Sequence, residues 1–138
     1  MGDIDNYDLR ATLRAIHSGE LTADEAKAVL DTVRRAAAAD NKTDIAEMTM
    51  LLRLKDLVGQ MAGEELPVTG HVEAVNAASL SIGARELAFA CAYLVMTQDL
   101  DVADEERALA NTLGTELGLD AVRMTQLIAM IDQLVSST

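Results

Sequence analysis

Leu87–Met96 reads LAFACAYLVM, ten consecutive residues without a charge. An apolar run this short does not span a bilayer, which takes roughly 20 residues. It holds no Gly or Pro and is rich in Ala and Leu, so it reads as a helix buried on most of its surface. Immediately after it the chain turns acidic, with Asp99-Leu100-Asp101, and restarts as the charged segment DEER, Asp104 to Arg107. Carboxylates are thereby concentrated at the start of a further helix.

The rest of the 138-residue chain agrees with a helical reading. Half the residues are apolar and only 2% are aromatic, so the core is built from Leu, Ala, Val, Ile and Met. Ala and Met favour helices, and runs of β-branched residues are few. No segment alternates with period two, which leaves no sheet. The expected fold class is all-α, one compact bundle of about seven helices containing two related helix-turn-helix pairs. A single domain would fill residues 1–138, with an N-terminal helix pair over 1–35 and a repeat region over 36–138.

Net charge is −12. Nucleic acid is a poor partner for such a chain, because binding needs several Lys or Arg facing phosphates. Tyr7, Phe89 and Tyr93 are too few for a base-stacking platform. A single cysteine, Cys91, excludes an internal disulfide framework and reads as a buried small side chain. The N-terminus, MGDIDNYDLR, has no apolar stretch of a secretory signal, and the cytoplasm is the default location.

In chain order, the first helix should cover about Asp5 to His17, capped by Asp5 or Asn6, with Leu9, Leu13 and Ile16 inward. Ser18-Gly19 stops it. Thr22 and Glu25 fit a capping box for the second helix, whose buried face is Ala26, Val29, Leu30 and Val33. The third begins near Thr43 or Asp44 and ends at Gly63; Met48, Leu51, Leu52, Leu54, Leu57, Val58 and Met61 make a wide apolar face. A short helix over about His71 to Ala78 follows the only proline. The central run spans Ala84 to Gln98. A sixth helix covers about Ala103 to Leu117, ended by Gly118, and a seventh, capped by Asp120, carries Val122, Leu127, Ile131, Leu134 and Val135 on its apolar side. Met48, Met61, Met96, Met124 and Met130 read as core filling.

Three turns share a spacing. Ser18 to Glu25, Asp40 to Glu47 and Asp99 to Glu106 each put a carboxylate in the first turns of the next helix, seven residues on. Asp99 follows a helix C-terminus, where the dipole disfavours an anion. Two compensations present themselves. Free amides of the next helix can lock the turn, or a divalent cation can bridge Asp40 with Glu47 and Asp99 with Glu106. Such a cation would be hard, Ca²⁺ or Mg²⁺. A true EF-hand is excluded, since Asp104 stands where glycine is needed and Ala110 where a bidentate Glu is expected. His17, His71 and one cysteine do not build a zinc site. No phosphate loop, nucleophile elbow or His-Glu-x-x-His occurs.

AYLVMTQDLDVADEERALANTLGTELGLD, Ala92 to Asp120, resembles the C-terminal signature of the tellurite-resistance protein B family. The match runs through Asp99, Val102, Glu106, Leu117, Gly118 and Leu119. Leu100 stands where that family has glycine, and Ala103 where it often has Ser. AAAADNKTDIAEMTMLL, Ala36 to Leu52, is similar to the family's first copy through Asp40 and Glu47, with Asn41 in place of the glycine. The resemblance implies a helical, non-enzymatic accessory protein of a stress response. It would bind a protein partner or divalent cation through Asp40, Glu47, Asp99 and Glu106. The alternative is a structural interaction module or homodimer in which the acidic turns only lock hairpins. GELTADEAKAVLD, Gly19 to Asp31, and DIAEMTMLLRLK, Asp44 to Lys55, also resemble the helical N-terminal domain of anthranilate phosphoribosyltransferases. That family needs a Gly-rich phosphate-binding sequence, which is absent here.

Overall fold

The computed structural model describes residues 5–17, 19, 21–38, 45–63, 80–97 and 104–136. They form six α-helices and no strand. These are α1 (Asn6–Ile16), α2 (Ala23–Ala38), α3 (Ile45–Ala62), α4 (Ile82–Met96), α5 (Asp104–Glu116) and α6 (Ala121–Ser136). The fold is all-α. The short helix expected over His71 to Ala78 lies outside the described residues.

The apolar run is the axis of the bundle. Every residue from Leu87 to Met96 is buried, and α4 packs against α1, α2, α3, α5 and α6. A helix enclosed this way has no polar face, which is why its sequence lacks amphipathic spacing. Small residues set how closely the neighbours approach. Ala84, Ala88, Ala90 and Ala92 are all fully buried. On α5, Gly114 faces α4 and α6 so closely that an added Cβ would lie 2.1 Å from Met124 Sδ and 3.0 Å from Phe89 Cε1. α2 is the most extensive neighbour of α4, laying Ala26, Val29, Leu30 and Val33 into the core.

Local chemistry sets the helix limits. The Asp5 side chain accepts from Tyr7 N–H at 2.8 Å and starts α1. Ser81 starts α4 by accepting from Ala84 N–H, so that the helix begins at Ile82, two residues before the expected Ala84. Gly63 and Gly118 close α3 and α5 with φ of 72° and 77°, conformations that only glycine adopts without strain. At Gly118 the cap is complete: Leu119 N–H donates to the Gly114 carbonyl and Gly118 N–H to the Thr115 carbonyl.

Two apolar faces are placed differently from expectation. On α3, Met48 and Leu52 are exposed, each at 42%, while Met50 is buried at 2%. The packing against α2 and α4 centres the inward face of α3 on Met50, Leu54, Leu57, Val58 and Met61, and so turns Met48 and Leu52 to solvent. On α6, Val122 is 69% exposed, because the inward face runs through Met124, Leu127, Ile131 and Leu134. Met61, Met96 and Met124 do fill the core; Met130 is half-buried.

Candidate functional site: the acidic turns and the outer face of α3

Glu25 is the member of the repeated acidic pattern whose surroundings are described. It occupies the third position of α2. Its Oε1 accepts from Thr22 N–H at 3.2 Å, while Thr22 Oγ1 accepts from Glu25 N–H at 3.1 Å, a closed capping box. The other carboxylate oxygen crosses to α4: Glu25 Oε2 accepts from Ser81 N–H at 3.1 Å and from Ser81 Oγ at 2.8 Å. One carboxylate therefore serves two helix starts, its partner Ser81 lying 56 residues away in sequence, and favours both dipoles. Burial pushes the Glu25 carboxyl up, but the hydrogen bonds from Ser81 and Thr22 outweigh it and hold the group below its ordinary value.

The linked pH dependence has a definite sign. A depressed carboxyl contributes stability in full above its unfolded-state value of about 4.3, and the contribution is lost as pH falls through the lower folded value. Glu25→Ala is expected to cost about 1 kcal/mol at pH 7, the usual loss for a helix cap. Urea unfolding at pH 7 and pH 3 reads it: the gap between the two proteins should be larger at pH 7 than at pH 3. An equal gap at both would mean the carboxylate charge is not what holds the turn.

The expected cation ligands are placed as follows. Asp40 and Asp99 lie outside the described residues. Glu47 and Glu106 are the third residues of α3 and α5, the position Glu25 holds in α2, and their side chains lie outside what is described. The arrangement of the four side chains therefore lies outside the described residues. The described residues contain no group of three or more His, Cys, Asp or Glu able to hold a metal ion.

Other polar groups tie the helices in pairs. The Glu86 carboxylate on α4 accepts from both Arg123 Nε and Nη2 on α6, the latter at 3.3 Å, and this hydrogen bonding raises the hold of Arg123 on its proton. Tyr93 Oη, near the C-terminal end of α4, donates to Asp132 Oδ1 at 2.9 Å. Arg35 Nη2 donates to Glu116 at 3.5 Å, joining α2 to α5. His17 packs over Gly83, and its buried Nε2 has no partner among the described residues. Cys91 is fully buried and burial pushes its thiol up to about 12, so it behaves as a core side chain and not as a nucleophile.

The outer face of α3 is chemically different. Ile45 is 86% exposed, and with Met48 and Leu52 it forms a stripe at spacings of three and four. That is one side of a helix, turned away from the core. Sequence reading placed two of these three residues inside and did not single out Ile45. The exposed Asp56, four residues past Leu52, continues the same line. No helix among the described residues is long and apolar enough to cross a membrane.

No protein-family model, curated protein or solved structure matches this chain.

Proposed function

We propose that the chain is a non-catalytic helical interaction module that docks a protein partner on the outer face of α3, with its acidic turns serving as hairpin locks. The observation that carries this reading is the stripe Ile45, Met48 and Leu52, three large apolar side chains in line on solvent. Anchors at i, i+3 and i+7 are the pattern by which an amphipathic helix enters an apolar groove. The net charge of −12 favours a partner whose groove has a basic rim. The lock assignment rests on Glu25, whose carboxylate caps α2 and holds Ser81 of α4. Glu47 and Glu106 share its helix position and are assigned the same work. On the resemblance to the tellurite-resistance protein B family, the partner belongs to a cytoplasmic stress response.

Partner capture on immobilised protein tests the reading. Ile45→Ser with Leu52→Ser should leave the unfolding transition in place and lower retention of the partner about tenfold or more, the effect of losing one or two interface anchors. Val122→Ser, on an equally solvent-facing site of α6, is the control and should retain it. Equal retention by both variants would overturn the assignment to α3.

A further inference from the structure

We draw no further inference here: the strongest candidate, the exposed apolar stripe Ile45, Met48 and Leu52 on α3, belongs to the site already described, and nothing in the structure shows what covers it.

Discussion

Ala90→Asp is expected to abolish the cooperative unfolding transition at pH 8. Ala90 is fully buried in the middle of α4, which packs against all five other helices. Along α4 its neighbours one turn away are Glu86, Leu87, Tyr93 and Leu94; none is a cation, Glu86 already pairs with Arg123, and the Tyr93 hydroxyl already donates to Asp132. An unpaired carboxylate there loses its hydration and gains nothing in return, at a cost of several kcal/mol. A domain of this kind has about 5–15 kcal/mol in total, and the added bulk in a packed core costs about 1–3 kcal/mol more. The sign with pH follows: burial favours the protonated acid, so the variant should recover part of its structure at pH 5 relative to pH 8. Ala108→Asp, on the exposed side of α5, is the matched control and should cost less than about 1 kcal/mol. Circular dichroism during urea titration reads both. An intact transition in Ala90→Asp at pH 8 would mean that α4 is not enclosed.

Phe89→Ala should be the most damaging truncation, at about 3–5 kcal/mol, a fall in Tm on the order of 10 °C. Phe89 is the largest of the fully buried side chains. Its cost should sit high in the usual range because the site cannot collapse well. The ring edge lies against Gly114, which has no side chain to move into the space. Met124 is a flexible neighbour at this spot, with its Sδ 2.1 Å from where a Gly114 Cβ would sit. Phe89→Leu keeps most of the volume and should cost less than half as much. Calorimetric unfolding of the three proteins decides it. A loss below about 1 kcal/mol for Phe89→Ala would show that the ring is not part of a close-packed centre.

The helices were legible in the sequence because their ends carry local chemistry. Asp5, Thr22 with Glu25, Gly63 and Gly118 act over a few residues, and each does in the structure what its position along the chain implies. LAFACAYLVM was legible as the buried axis because a charge-free run in an acidic chain has nowhere else to go. The rotation of α3 was not legible. Met48, Met50, Leu51, Leu52 and Leu54 leave several apolar faces open, and which one turns inward is decided by how α2 and α4 pack on it. The same holds for Val122 on α6. The second role of Glu25 was also hidden: its bonds to Ser81 join segments distant in sequence, and no local pattern encodes such a contact. Glu86 with Arg123 and Tyr93 with Asp132 were hidden for the same reason. The outward line of Ile45, Met48 and Leu52 emerged only once the rotation of α3 was known.

In the proposed function the acidic turns are structural locks and the binding face is apolar. Calorimetric titration of chelator-treated protein with Ca²⁺, Mg²⁺ and Mn²⁺, beside Glu47→Gln and Glu106→Gln variants, tests it most directly. Locking turns give no saturable heat in any of the three proteins, and the variants lose about 0.5–2 kcal/mol of stability to urea for each cap weakened. Saturable heat in the wild type that disappears in the variants, with their urea midpoints unchanged, would contradict the lock assignment and make the turns a cation site.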